Sequence, residues 1–514
     1  MASSYLAPGV YMEEVSSGSR PIEAVGTAVA AFVGFAERGP LHEPVLVTNW
    51  TQFKQSFGDF VEGFYLAHAV YGYFQNGGGT AYVVRVGGAS GIGSENGSGN
   101  GHVALPAAEL PAAGDGKPSL TISARAVDAA DITVEVTPAS EESDDTFRLV
   151  VKKGGQPVET FDNVTTKRGA NNVATVVRQQ SKLIVVEETK GKALSVPRPG
   201  EVALGSPAPS PARVDATDYV GDSADRTGFG GLEAVDEVTM LCVPDLMAAL
   251  ERGALSTEDV KAVQLAMIAH CELMADRVAV LDTPPGLNAQ EVKDWRMDVT
   301  GYDSKYATMY WPWIKVADPV AGKQVYVPPS GHIAGIWARN DSSRGVHKAP
   351  ANEVIRGAVT LELNITKGEH DVLNPIAVNC IRSFRGQGIR VWGARTLSSD
   401  TEWRYLNVRR LFNYVEKSIL QGTNWVVFEP NDPKLWDSVK RTVTMFLRRV
   451  WRDGALFGKT PAQAFFVKCD EENNPAENRD AGILTVEIGI APVKPAEFVV
   501  FRISQFAEGA GLEE

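Results

Sequence analysis

At 514 residues, with 44% apolar and 22% charged side chains, the chain has the make-up of a globular protein of three or four domains. That composition excludes a wholly disordered, collagen-like or coiled-coil chain. Its 63 acidic residues against 50 basic ones leave a net charge of −13, which opposes binding to nucleic acid or to an anionic membrane surface.

The first strand-like segment is Tyr5–Val15, followed by the polar stretch SSGSRP with no partner strand nearby. PVLVTN then reads as a strand, and Asn49 can cap a helix over WTQFKQSF. A second helix, YLAHAVYGYFQ, stops at Gly77-Gly78-Gly79, and TAYVVRV follows as a buried strand. Residues 87–101 hold seven glycines and residues 197–213 five prolines, the compositions of flexible and semi-rigid linkers. Between them the alternating runs 119–126, 131–137, 145–153 and 182–188 predict strands, so 88–225 reads as an inserted β-rich domain. Strand–helix–strand alternation resumes with VTMLCVPDL, a helix from Ser256 to Ala275 and the strand RVAVLD. Residues 21–87 and 226–350 are thus expected to share one mostly parallel α/β sheet. The expected fold class is α/β multidomain, with residues 1–20 as an N-terminal arm and 351–514 as a separate α+β domain.

In that last third the charge changes: residues 382–452 carry 14 bases and 6 acids. Helices are predicted over 402–421 and 433–452, followed by strand-like runs at 482–490 and 496–506. On the second helix Trp436, Val439, Val443, Phe446, Leu447 and Val450 share one stripe, and Arg441, Arg448 and Arg452 another. Arginines interleaved with aromatics could neutralise phosphates and stack on bases. The aromatics, however, fall on helix faces with Leu and Val, as core residues do. A basic face for an acidic protein partner is the better reading.

Catalytic motifs are imitated but incomplete. Gly454-Ala-Leu-Phe-Gly458-Lys459-Thr460 has three residues between its glycines where a phosphate-binding loop needs four, and it ends a helix instead of opening one. Asp282-Thr-Pro-Pro-Gly286 after an apolar run suits an Asx-type turn. Ser330 and His332 could sit side by side, yet Ser330 also suits a helix N-cap before GHIAGIWAR. An α/β hydrolase or ATPase built on Asp282, Ser330, His332 and Lys459 is the enzymatic alternative; no complete catalytic set, metal site or cofactor motif is expected. The four cysteines, Cys242, Cys271, Cys380 and Cys469, are far apart, which favours a reducing compartment. No stretch approaches the ~20 apolar residues of a membrane span. The first nine residues lack the regions of a secretion signal, so the cytoplasm is the expected location.

Unpaired strands at the termini can pair within their own subunit or with a neighbour. The residues here carry a resemblance. Pro8-Gly9-Val10-Tyr11-x-x-Glu14, Gly26–Gly34 and Phe74–Arg85 are similar to segments of contractile tail sheath proteins. So are Val327-Pro-Pro-Ser-Gly-His-Ile-Ala-Gly335, Arg344–Asn352, Trp392–Thr396, Tyr405–Arg410 and Pro495-Ala-Glu-Phe498. The resemblance implies a structural subunit that stacks in six-membered rings around an inner tube and contracts to drive that tube through an envelope. It implies strand exchange through the arms, placing Val10, Tyr11, Glu14, Phe498, Val500 and Phe501 in inter-subunit sheets. Residues 88–225 would be the outer domain and 351–514 the inner one, with 496–514 as C-terminal arm. The implied partners are further copies of the chain, the tube protein, the baseplate and a tail-terminator or cap protein, with no cofactor, nucleic acid or membrane anchor. Arg441, Arg448 and Arg452 would then face the tube, or else serve solvent or acidic groups of the same lattice.

Overall fold

In the computed structural model, which describes residues 21–87, 107–111, 118–124, 132–140, 145–167, 169, 171–181, 183–188, 196–204, 215–320 and 322–501, the first strand is β1 (Val29–Gly34). Ala30–Val33 are fully buried, as a continuous apolar run demands of a central parallel strand. β2 (Val45–Val47), α1 (Trp50–Phe57), α2 (Leu66–Gln75) and β3 (Thr80–Arg85) follow. Asn49 caps α1 as the sequence predicts, its side chain accepting the Gln52 N–H at 2.9 Å.

The chain divides into two compact units, Met1–Ala36, His42–Val86 and Asp215–Glu514 in one, Glu37–Leu41 and Gly87–Val214 in the other. The second unit contains β4 (Ala107–Pro111), β5 (Pro118–Ala124), β6 (Ile132–Pro138), β7 (Thr146–Lys153), β8 (Gln156–Thr165), α3 (Val173–Gln180), β9 (Ile184–Glu188) and β10 (Gly200–Ala203). They form antiparallel sheets in the orders β10-β6-β7-β8 and β4-β5-β9. Alternating inward residues Leu120, Ile122, Val134, Val136, Leu149 and Val151 share one core with Val173 and Val177 of α3. The four predicted strands are present. The sequence pattern does not reveal β4, β8 or α3, and its proline-rich linker takes in β10.

The first unit continues with α4 (Ala216–Val220), β11 (Met240–Cys242), α5 (Asp245–Glu251), α6 (Thr257–Met274), β12 (Val278–Asp282), α7 (Ala289–Asp294), β13 (Ala307–Trp311), β14 (Ile314–Ala317) and β15 (Gln324–Val327). Next come α8 (Ser330–Arg344), β16 (Glu353–Val354), β17 (Ala358–Leu361), α9 (Lys367–Leu373), β18 (Val378–Phe384) and β19 (Gly388–Val391). Among the described residues, nine strands form one sheet in the order β16-β19-β18-β13-β12-β11-β1-β3-β2. Pairing is parallel from β18 through β3 and antiparallel towards both edges. The sheet therefore extends past residue 350, where the sequence suggested a domain border. β14, β15 and β17 make a separate small sheet.

Helix α8 packs on α2 through glycines. A Cβ on Gly331 would lie 2.4 Å from the backbone of Ala69, and one on Gly335 would lie 2.4 Å from the Tyr73 carbonyl. The remainder comprises α10 (Leu406–Gly422), α11 (Pro433–Arg452), α12 (Pro461–Ala464), β20 (Phe465–Lys468), α13 (Ala476–Asp480) and β21 (Glu487–Ile490). Leu411 and Val415 of α10 meet Trp436, Val439, Val443 and Phe446 of α11 in a core that also holds Ile22. β20 and β21 pair with each other as a two-stranded antiparallel sheet.

Candidate functional site

The residues of the enzymatic alternative are only partly brought together. Asp282, the last residue of β12, accepts both the Ser330 backbone N–H at 3.0 Å and the Ser330 hydroxyl at 2.5 Å. The predicted roles are thereby exchanged: Asp282 reaches across to satisfy the first turn of α8, and neither a Ser330 N-cap nor an Asp282 Asx turn forms. Burial pushes the Asp282 carboxyl up to about 7, against the two donors from Ser330. His332 packs against α2, where a Cβ on Gly72 would come within 2.3 Å of the ring. Burial, aided by nearby His68, lowers His332 to about 3, so it is neutral and aimed into the helix crossing. Lys459 is exposed, and its backbone N–H bonds to the Gln463 side chain at 3.0 Å. The constellation needed for nucleophilic or phosphoryl chemistry is not assembled from these four residues.

Open α/β sheets bind anionic ligands beyond the strand C-termini where the strand order reverses, here between β1 and β11. That place is filled by the chain itself. Asp245, fully buried at the start of α5, accepts the backbone N–H groups of Phe35 at 2.6 Å and Leu66 at 3.1 Å, and also that of Tyr65. A carboxylate thus occupies the N-terminus of α2, where the unpaired N–H groups of a helix favour negative charge. Burial still raises its pKa to about 6. Sequence reading missed Asp245; its only signal was an acid ending the apolar run VTMLCVPDL.

Asp282 gives a titration that can be checked. A buried carboxyl with a raised pKa contributes most stability below about 4 and loses it as pH rises through its folded value, here about 7. His332 and His270, lowered to about 3 and about 4, act in the opposite sense but equally in both proteins compared. Asp282→Asn should therefore gain thermal midpoint relative to wild type between pH 5 and pH 8. A constant difference across that range would refute the assignment.

The candidate assembly residues lie elsewhere. Arg441, Arg448 and Arg452 are exposed along α11, whose opposite stripe is buried as predicted. Among the described residues none of the three forms an ion pair. Phe498, Val499, Val500 and Phe501 are 74%, 69%, 78% and 84% exposed and form no strand within the chain. Val10, Tyr11 and Glu14 lie outside the described residues. The roots of both termini are held. Ile22 is buried and its carbonyl accepts Arg449 Nη2 at 2.6 Å, while the carboxylate of Glu497 is gripped by Arg395.

The sequence motifs that suggested a family prove to be internal ties. Arg410 forms a buried bridge to Asp341 at 2.6 Å and donates to the Thr27 carbonyl. Asn76, ending α2, exchanges hydrogen bonds with the backbone of Arg356. Asn407 donates to the carbonyls of His347 and Val493.

The phage tail sheath protein central domain matches residues 227–397, and the phage tail sheath C-terminal domain matches 398–506. The tail sheath protein of Burkholderia phage BcepMu is 25% identical over 98% of this chain and 97% of its own length. That of Vibrio phage KVP40 is 28% identical, but the chain spans only 28% of that relative. The sheath of an extracellular contractile injection system, the PVC complex in its contracted state, shares the fold with a TM-score of 0.59. Its identity is 22%, over 99% of each chain. The contracted helical sheath of the anti-feeding prophage gives 0.57 at 22% identity, over 98% of this chain and all of the other. On these matches, which run the length of the fold described above, the chain belongs to the contractile tail sheath proteins, the structural subunits of phage tails and contractile injection systems.

Proposed function

We propose that this chain polymerises as stacked six-subunit rings around an inner tube and contracts to drive the tube through a target envelope. It would nucleate on a baseplate and end at a cap or terminator protein. Assembly would take place in the bacterial cytoplasm, as part of a phage tail or a phage-derived injection particle. No nucleotide is needed, because the work would come from subunit contacts that differ between two lattices. The outer domain, expected over 88–225, would be the second unit, which ends at Val214 because α4 belongs to the first; α10, α11 and the β20–β21 pair would form the inner domain.

One observation carries this reading: the chain runs out past Glu497 in four exposed apolar residues, while β20 and β21 stand as a pair. A two-stranded sheet is marginal in water, and each strand keeps an outer edge unpaired among the described residues. Arms donated by neighbours, residues 5–16 and the part of 496–506 beyond the held Glu497, would complete that sheet by strand addition.

Electron microscopy of the chain expressed with its tube protein provides the test. Wild type should give long tubules with a helical lattice around a tube. If Arg441, Arg448 and Arg452 face the tube, Arg→Glu at all three should yield empty sheaths or unsheathed tubes, while raised salt weakens wild-type co-assembly. Each exposed contact contributes only ~0.2–1 kcal/mol, so the grip comes from repetition around every ring. A discrete particle in place of tubules would refute the polymer, and normal sheathing by the triple variant would move the tube contact elsewhere.

A further inference from the structure

The three motif segments nearest the C-terminus meet at one carboxylate, joined there by Asn374. Arg395 approaches Glu497 side-on, with Nε 2.9 Å from Oε1 and Nη2 2.6 Å from Oε2. Asn374 Nδ2 donates to Oε1 at 3.1 Å, and the Tyr405 hydroxyl donates to Oε2 at 3.3 Å. Four donors thus serve the four lone-pair positions of one carboxylate, in the planar fork geometry that favours arginine. The pair is well sheltered, with side-chain exposures of 9% for Arg395 and 20% for Glu497.

The base of this grip is rigid. The Arg395 N–H donates to Asn379 Oδ1 at 2.7 Å, and the Arg395 carbonyl accepts Thr308 Oγ1 at 3.0 Å and Asn379 Nδ2 at 2.8 Å. Thr308 lies on β13 and Asn379 on β18, both inside the nine-stranded sheet. Arg395 Nη1 is further held by the Asn374 carbonyl at 3.0 Å. Upstream, the chain bonds elsewhere: Val493 N–H donates to the Ala455 carbonyl at 3.2 Å, and its carbonyl accepts Asn407 Nδ2 at 3.1 Å. Immediately downstream, Phe498 to Phe501 are exposed.

We propose that Glu497 is a positioning residue for assembly: its clamp onto Arg395 fixes the point at which the C-terminal arm leaves the subunit, so that residues from Phe498 onward reach a second copy of this chain in one register. Without the clamp the last fixed point retreats to Val493, and the arm gains four residues of slack. Slack lowers the effective concentration of the arm at its acceptor and admits registers two residues apart, which keep the same side-chain face. The proposal rests on the strand-exchange reading above.

The test compares four forms of the full-length chain: wild type, Glu497→Ala, the charge-swapped pair Arg395→Glu with Glu497→Arg, and a deletion of residues 498–514. Sedimentation measures the critical concentration for polymerisation, and microscopy measures the spread of helical rise. Glu497→Ala should stay folded by circular dichroism, raise the critical concentration at least tenfold and broaden the rise. The swap should recover part of that loss, and a broadened rise in a Glu497→Ala chain of unchanged thermal midpoint is the readout that a merely structural contact would not give. Because the swap perturbs a sheltered site, Glu497→Gln serves as its fallback; it keeps the shape but not the charge and should fall between wild type and Ala. If Glu497→Ala polymerises like wild type while the deletion does not, the clamp is refuted and the arm reading stands. If the deletion also polymerises normally, the arm reading falls and the clamp with it.

Discussion

Removing residues 1–16 is expected to leave a folded, soluble monomer that no longer forms tubules. The fold is insulated from the cut, because the described chain is already locked into its own subunit at Ile22. That side chain is 1% exposed and lies in the core with Leu411, Trp436 and Phe446. A Cβ on Gly422 would sit 2.6 Å from Ile22, so α10 uses a glycine to admit it. The Ile22 carbonyl accepts Arg449 Nη2 and the Val25 N–H donates to Ser418 Oγ at 3.3 Å. The contacts that hold Ile22 come from residues after this root, so the cut is expected to leave that core closed. Assembly has no such insulation if the segment Val10-Tyr11-Met12-Glu13-Glu14 is a donated strand. One lost strand per subunit is repeated at every lattice point, so an affinity loss of a few kcal/mol per contact ends polymerisation altogether. Size-exclusion chromatography with circular dichroism reports the fold, and microscopy reports the lattice. Normal tubules from the truncated chain would sink the strand-exchange reading.

Sequence patterns located what depends on local physics. α11 appears at the predicted residues 433–452 because its stripe of Trp436, Val439, Val443 and Phe446 repeats at helical spacing. Asn49 and Ser256 cap their helices because short polar side chains before an apolar run satisfy free N–H groups. β8 escaped notice because QPVETFDNVT has weak alternation, and it is strand by virtue of pairing with β7. The long-range ties were equally opaque. Nothing near Asp245 in sequence reveals that its donors come from Phe35, Tyr65 and Leu66, some 180 to 210 positions away. Glu497 and Arg395 were both inside quoted motifs, yet their pairing is 102 residues apart and emerges only from the fold. The false catalytic pair Asp282 and Ser330 shows the converse. A real hydrogen bond joins them, but its product is a capped helix buried from any substrate.

Gly331→Ala is expected to lower stability by more than ~2 kcal/mol, and Gly331→Val to leave little folded protein. Two effects of opposite sign compete. Alanine in a helix gains about 0.5–1 kcal/mol over glycine through reduced unfolded-state entropy. Against this, the new methyl would lie 2.4 Å from both Cα and the carbonyl oxygen of Ala69, and backbone of α2 cannot rotate aside as a side chain can. Relief requires α8 and α2 to separate, and that loosens Ile333, Ile336 and Trp337, all fully buried in the main core. Separation would also disturb the Asp282–Ser330 cap one residue away. A matched control exists in α9: a Cβ on Gly368 meets nothing within 4 Å. Gly368→Ala should therefore show the propensity gain alone, a rise of up to ~1 kcal/mol. Urea unfolding of the two variants beside wild type decides the sign. If Gly331→Ala matches or exceeds wild type, the crossing of α2 and α8 is looser than the glycine contacts require, and the sequence Pro-Pro-Ser-Gly-His-Ile-Ala-Gly335 must owe its glycines to something other than packing.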